Sequence, residues 1–177
     1  MAELRARPWA GKAIFLALAL MVILYRLMPF STEPLTWPRP DLLLALTLAH
    51  AARRPDHLPV LLVASVYLLA DLLLQRPPGL MTALVVIGTE TLRRRSRGLR
   101  RSSFMAEWAS VALVIAGITV SYRIALLVLL VPVPPLGPVL IEALGTALIY
   151  APLALAGRLF GLARAAPGAV DHKGQRI

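Results

Sequence analysis

The sequence predicts an all-α polytopic membrane protein of about six transmembrane helices, with both ends of the chain in the cytoplasm. Of the 177 residues, 58% are hydrophobic and 16% are charged, and the mean hydropathy is +0.73. A soluble domain of this size has too little interior to bury so many apolar side chains. The apolar residues fall into long runs with basic clusters between them, which is typical of a chain that crosses a bilayer repeatedly.

The first predicted span covers residues 10–28. At 1.5 Å per residue, this run reaches across a hydrocarbon core of about 30 Å. Basic residues precede it, as in a signal peptide, but Leu27-Met28-Pro29-Phe30 at its end offers no small-residue cleavage site. We therefore expect an uncleaved membrane anchor.

The next three predicted spans differ in length. Residues 57–75 form a well-developed apolar run, whereas the runs at 41–52 and 79–92 are short for a crossing. A short run can be tilted, lie where the bilayer is locally thinned, or pack deep among its neighbours as a re-entrant segment. The sequence leaves these alternatives open.

The last two predicted spans complete a single transmembrane domain at 1–162. Residues 104–131 are mostly apolar and end at a proline-rich turn, so they fit either one long tilted helix or a helix followed by an interfacial turn. Residues 138–160 form the sixth span, which contains Pro152. The remaining residues, 163–177, are predicted to be a polar cytoplasmic tail.

The distribution of basic residues predicts the orientation. With six crossings and a cytoplasmic N-terminus, 15 of the 19 basic residues fall on the cytoplasmic side, as the positive-inside rule requires. These clusters can also attract anionic lipid headgroups. Because they flank apolar spans and no soluble domain presents them, the net charge of +10 does not indicate binding to nucleic acid.

The composition and motifs exclude several functions. The chain has no cysteine, which excludes disulfides, thiolate metal ligands and a thiol nucleophile. It contains no phosphate-binding loop, no nucleophile elbow and no zinc-protease motif. Its acidic residues flank arginines that favour their ionised forms, which argues against intramembrane aspartyl proteolysis. We therefore predict a protein that is not an enzyme and that holds no cofactor or metal.

Ionisable side chains within or beside the spans are the candidate functional residues, because charge at membrane depth is costly. Asp41 follows Arg39-Pro40 and is expected to lie at a helix N-terminus. Asp71 precedes Arg76 by five residues and could form a local salt bridge. Alternatively, Arg39, Asp41, Asp71 and Arg76, all assigned near the outer leaflet, form one polar network.

The other polar residues have simpler expected roles. Glu90 and Glu107 lie beside basic clusters and are expected to form ion pairs at the inner interface. Arg123 is a possible partner for Glu142, and His50 is interpreted as an interfacial polar group.

Three motifs resemble a known family. They are Arg39-Pro40-Asp41-Leu42-Leu43-Leu44-Ala45-Leu46, then Arg53-Arg54-Pro55-Asp56, then Leu69-Ala70-Asp71-Leu72-Leu73 with Pro78-Gly79-Leu80 after it. In order and spacing they are similar to MreD, the rod shape-determining membrane proteins of bacteria, and most to the alphaproteobacterial branch. The resemblance covers about residues 37–95.

The resemblance implies a non-catalytic subunit of the cell-elongation complex in the bacterial inner membrane. Its partners would be MreC and, through it, MreB, RodA and a class B penicillin-binding transpeptidase, and its process would be lateral peptidoglycan synthesis. The family is also thought similar in fold to the substrate-capture subunits of energy-coupling transporters, which gives the alternative of a small-molecule-binding subunit. Candidate partner or ligand-binding residues are Arg39, Pro40, Asp41, Asp71, Arg76, Pro78 and Gly79.

Overall fold

The computed structural model describes residues 8–28, 38–101 and 103–156, which are all-helical apart from their connections. The helices are α1 (Pro8–Leu27), α2 (Leu42–Arg53), α3 (Val60–Leu73), α4 (Leu80–Arg101), α5 (Phe104–Val128) and α6 (Leu136–Leu155), with a 3-10 helix at Pro55–His57. The predicted all-α class is confirmed. The predicted tail at 163–177 and the last residues of the sixth predicted span lie outside the described residues.

Helices α1, α5 and α6 are long and apolar enough to cross a membrane, and α2 and α3 are shorter apolar helices. Helix α4 passes the predicted span end at Leu92 and continues through the arginine-rich block to Arg101. Large apolar side chains are exposed along several helices, among them Met21 and Leu148. Such outward-facing apolar surface is what a helical bundle presents to lipid.

Helix α2 is the centre of the bundle. It packs against α1, α4, α5 and α6, and every residue from Leu43 to Arg53 is buried. At 1.5 Å per residue its 12 residues extend about 18 Å, well short of a hydrocarbon core of about 30 Å. Because its neighbours enclose it, the short helix does not expose its polar ends to lipid.

Side-chain contacts place the two ends of each helix in two polar layers. We call the layer with Asp41 and Asp71 the aspartate end, and the layer with Arg53 and Glu107 the glutamate end. Arg26, near the end of α1, pairs with Asp41 at the start of α2. Gly11, near the start of α1, lies so close to the ring of His57, which follows α2, that a β-carbon there would clash with the ring. Helices α1 and α2 are therefore antiparallel and run between the same two layers.

The remaining helices continue this alternation. Asp71, near the end of α3, contacts the start of α4 at the aspartate end. Arg93 of α4 donates hydrogen bonds to the carbonyl oxygens of Pro55 and Leu58 near the glutamate end. Helix α5 starts at the glutamate end, where Glu107 contacts Arg53. The chain of contacts shows that α2 runs from one layer to the other.

Helix α6 closes the bundle through two contacts to α2. Thr146 accepts a hydrogen bond from the backbone N–H of Asp41 at 2.8 Å. The carbonyl oxygen of Ala154 accepts a hydrogen bond from the guanidinium of Arg53. Pro152 lies inside α6 near its C-terminus and lacks an amide donor, so the carbonyl oxygen of Leu148 receives no helical hydrogen bond from it.

Candidate functional site

Asp41 begins α2 and is almost fully buried. Its Oδ1 accepts a hydrogen bond of 3.0 Å from the backbone N–H of Leu44, which caps the helix. The same oxygen lies 3.4 Å from the guanidinium of Arg26, and Oδ2 lies 3.9 Å from that of Arg76. The sequence-based expectation of a helix N-terminal carboxylate agrees with this geometry.

Asp71 is fully buried and caps a different helix from the one that carries it. Its Oδ2 accepts three hydrogen bonds from the start of α4, from the backbone N–H groups of Gly79 and Thr82 and from the hydroxyl of Thr82. Backbone donors at a helix start are otherwise unsatisfied, and a carboxylate there also complements the helix dipole. Asp71 therefore fixes the position of α4 relative to α3.

The turn before α4 presents its backbone to Asp71. Gly79 has φ +83°, in the left-handed region that residues with a β-carbon rarely adopt, and it follows Pro78. Arg76 donates its backbone N–H to the carbonyl oxygen of Asp71 at 2.9 Å. The predicted Asp71–Arg76 salt bridge is absent among the described residues, because the side chain of Arg76 points to Asp41 instead.

The four residues that the sequence suggested as one polar network therefore do not form a single network. The two aspartates lie in separate clusters. Asp41 is paired with Arg26 and Arg76, whereas Asp71 binds the start of α4. Arg39 is exposed and forms no ion pair within the part of the chain that the structure describes. Its neighbour Pro40 packs against α6, where a β-carbon on Gly145 would lie 3.0 Å from the proline Cγ. Of this dipeptide, only the proline takes part in the packing of the bundle.

Two contributors to the aspartate end were not predicted from sequence. Arg26 is one of the four basic residues that the six-span topology does not place on the cytoplasmic side, and this is the only signal in the sequence for its pairing with Asp41. Thr146 binds Asp41 from a helix that is 105 residues distant in sequence. A lone threonine in an apolar span carries no pattern that would identify this contact.

A cavity of about 260 Å³ lies beside Asp41, between α2, α4, α5 and α6. Its walls are largely apolar, and its polar lining consists of Asp41, Arg76, Thr119, Tyr122, Arg123, Glu142 and Thr146. Arg123 donates a hydrogen bond of 2.7 Å to the carbonyl oxygen of Pro134. It makes no ion pair with Glu142 in the structure described, so the partnership considered from sequence is not formed.

The glutamate end is closed by a compact ion pair. Arg53 Nε donates to Glu107 Oε1 at 2.6 Å, and the hydroxyl of Tyr150 donates to the same oxygen at 2.6 Å. Glu107 is 2% exposed. The sequence predicted that Glu107 would pair with a basic residue at this end, and among the described contacts it pairs with Arg53 of α2.

The two other polar residues at the glutamate end differ in outcome. Glu90 forms the expected ion pairs, with Arg93 at 3.5 Å and Arg94 at 3.2 Å. His50, which was interpreted as an interfacial polar group, is buried inside the bundle: it is 1% exposed, it packs edge-on against Phe15, and its Nδ1 lies 3.0 Å from the carbonyl oxygen of Leu46. A carbonyl within its own helix satisfies the imidazole, which allows it to be buried.

Among the residues that the structure describes, no three His, Cys, Asp or Glu side chains are grouped so that they could hold a metal ion. Comparisons with protein families, with curated proteins and with solved structures found no match. The functional assignment therefore depends on the motif residues and on the geometry of the two ends.

Proposed function

We propose that this chain is a non-catalytic membrane scaffold of the MreD type, which binds the membrane helix of MreC in the bacterial inner membrane. In this role it supports lateral peptidoglycan synthesis by a complex that also contains MreB, RodA and a class B penicillin-binding transpeptidase. The glutamate end faces the cytoplasm, in agreement with the distribution of basic residues.

The observation that supports the proposal is the structural role of the two aspartates in the motifs. Asp41 and Asp71 belong to the motifs that resemble MreD, and each caps the N-terminus of a helix. These carboxylates accept hydrogen bonds from backbone donors and Thr82 or pair with arginines, and so fix the relative positions of α2, α3 and α4. Motif residues with architectural roles are what a scaffold needs, since it must present a fixed surface to its partners.

Co-purification with MreC tests the proposal. The tagged chain is expressed with MreC from the same genome, solubilised in a mild detergent and purified by the tag. We expect MreC to be retained. Asp71→Ala, which removes the hydrogen bonds from the start of α4 to Asp71, should reduce the retained MreC, whereas Glu90→Ala at an exposed ion pair should not. Absence of MreC from a monodisperse wild-type preparation would contradict the proposal.

A second candidate function, the capture of a small molecule, is favoured by the cavity beside Asp41. Ligand sites are typically concave and mostly apolar, with a few converging polar groups, and this cavity has that character. A rise in the midpoint of thermal unfolding on addition of a ligand would support this function. Because it requires no MreC, the two functions are tested separately.

A further inference from the structure

The cavity at the aspartate end has a distinct arrangement of charge. Its lining includes two carboxylates, Asp41 and Glu142, and two guanidinium groups, Arg76 and Arg123. Asp41 is compensated by Arg26, by Arg76 and by the backbone N–H of Leu44. Its charge is therefore already matched within the protein.

Glu142 is different. It lies in α6 and is half-buried, and its carboxylate makes no hydrogen bond or ion pair with any residue that the structure describes. A carboxylate removed from water without a partner is costly, and more so within a membrane. Arg123, across the cavity lining, is held by one hydrogen bond to a carbonyl oxygen, which leaves most of its N–H donors for another group.

Thr119 adds an acceptor to the same lining. Its hydroxyl donates to the carbonyl oxygen of Ile115 at 2.9 Å, so its lone pairs remain for a donor in the cavity. The other walls are apolar side chains, including Met81, Ile118, Leu126 and Val139. The volume of about 260 Å³ lies just under the range of roughly 300 to 1,000 Å³ typical of drug-sized ligands. A small molecule or a lipid headgroup matches this size.

We propose that this cavity binds a zwitterion with a primary ammonium group, which Glu142 and Thr119 hold, and an acidic group, which Arg123 holds, while its apolar part packs against α5 and α6. The inference deepens the second candidate function and does not depend on MreC. Two sources share this chemistry: the headgroup of an ethanolamine phospholipid, and a free amino acid with an apolar side chain. A choline headgroup has no N–H group and so cannot donate hydrogen bonds to Glu142 and Thr119.

The test uses the full chain, purified in detergent and then equilibrated with lipid. Mixed micelles contain equal amounts of phosphatidylethanolamine, phosphatidylcholine and phosphatidylglycerol with the same acyl chains, and native mass spectrometry measures the lipid that remains bound. A separate arm measures the thermal shift caused by free leucine. For the lipid source we expect phosphatidylethanolamine to be retained over phosphatidylcholine by about tenfold, the ratio for one charge-assisted hydrogen bond. If the ligand is a free amino acid, we expect leucine to raise the midpoint of thermal unfolding. Leucine amide, which lacks the acidic group, should not raise it.

Matched variants assign the effect to the cavity. Glu142→Gln and Arg123→Gln should each reduce the retained ligand by about tenfold, and Ala143→Phe, which fills the cavity, should abolish binding. Glu90→Gln, at an exposed ion pair of the glutamate end, should change nothing. Each variant is compared with wild type for unfolding midpoint and monodispersity, so that misfolding is recognised.

Equal retention of phosphatidylethanolamine and phosphatidylcholine, or preferential retention of phosphatidylglycerol, would overturn the inference if leucine also gave no thermal shift. An unchanged ligand preference in Glu142→Gln would overturn it for either source while leaving ligand capture intact. If neither lipid nor leucine binds to well-folded wild-type protein, the inference fails, and so does ligand capture if thermal shifts with other small molecules are also absent. Co-purification of MreC is independent of all these results.

Discussion

The two ends of the bundle use charge in opposite ways. At the glutamate end, Arg53 and Glu107 are 2.6 Å apart, Tyr150 donates a further hydrogen bond to Glu107, and Arg53 donates one to a backbone carbonyl oxygen. At the aspartate end, Asp41 is 3.4 Å and 3.9 Å from its two arginines, and a cavity lies beside it. The charged groups of the glutamate end are paired at short distance. The aspartate end opens into a cavity whose lining includes charged groups without an ion pair among the described residues.

This contrast indicates which end stabilises the bundle and at which end we expect a ligand to bind. A buried charge pair tolerates no loss of a partner, because the remaining charge is left without compensation. Longer, partly exposed ion pairs contribute little and can rearrange around a ligand. The glutamate end therefore holds α2, α5 and α6 together, and the aspartate end can accommodate a ligand at small cost to the fold.

The largest expected effect is at the glutamate end. Glu107→Leu leaves the guanidinium of Arg53 buried without its carboxylate and should lower the free energy of unfolding by about 3–5 kcal/mol. Replacing both Arg53 and Glu107 by leucine should cost less than this single change, since no uncompensated charge remains. Reversible unfolding in mixed micelles with increasing SDS measures both values.

The control for this prediction is Glu90→Leu. Glu90 also pairs with arginines, but its side chain is 34% exposed, so its loss should cost less than about 1 kcal/mol. Equal losses for Glu90→Leu and Glu107→Leu would show that the glutamate end is not the closed core described above.

A smaller effect is expected from the cap that Asp71 gives to α4. Asp71→Ala removes the acceptor of three hydrogen bonds and should lower the free energy of unfolding by about 2 kcal/mol. Asp71→Asn should retain most of that stability, because its amide oxygen can accept the same hydrogen bonds while its NH₂ takes the position of Oδ1, which has no partner among the described residues. Comparable losses in the two variants would contradict the capping role. The same unfolding assay distinguishes these outcomes.

The sequence predicted the helices better than their contacts. Apolar run length and basic clusters depend on local composition, and these located all six helices and the ion pair of Glu90, whose partners are three and four residues away. Arg53, which pairs with Glu107 among the described contacts, is 54 residues away, and a single sequence does not encode which helix faces which. Local spacing therefore favoured the adjacent arginine block.

The candidate site shows the same limit. Asp41 was expected at a helix start because a proline boundary and an acidic residue are local signals, and it lies there. Asp71 was expected to pair with Arg76, yet its partners belong to the following helix, where a glycine with positive φ turns the backbone toward it. The cavity could not be predicted, because it arises from side chains of four separate helices.

The arginines of the aspartate end provide a weaker test of the comparison. Arg26→Gln and Arg76→Gln should each lower the free energy of unfolding by less than about 1 kcal/mol, because their ion pairs are long and the other arginine still compensates Asp41. The double variant should cost more than the sum of the two, since Asp41 is then buried without a cation. A double-mutant cycle in the SDS assay measures this coupling, and strict additivity would contradict shared compensation.

The smallest expected effect concerns pH and the glutamate end. Burial lowers the pKa of His57 below its ordinary value of about 6.5, and the charge of nearby Arg54 lowers it further. The folded protein thus disfavours the protonated imidazole, which packs against Gly11. The stability from neutral His57 is present above pH 6.5 and is lost as the pH falls toward the folded-state pKa. His57→Gln should reduce the fall in unfolding midpoint between pH 8 and pH 5, and an unchanged pH dependence would show that His57 is not held neutral by the fold.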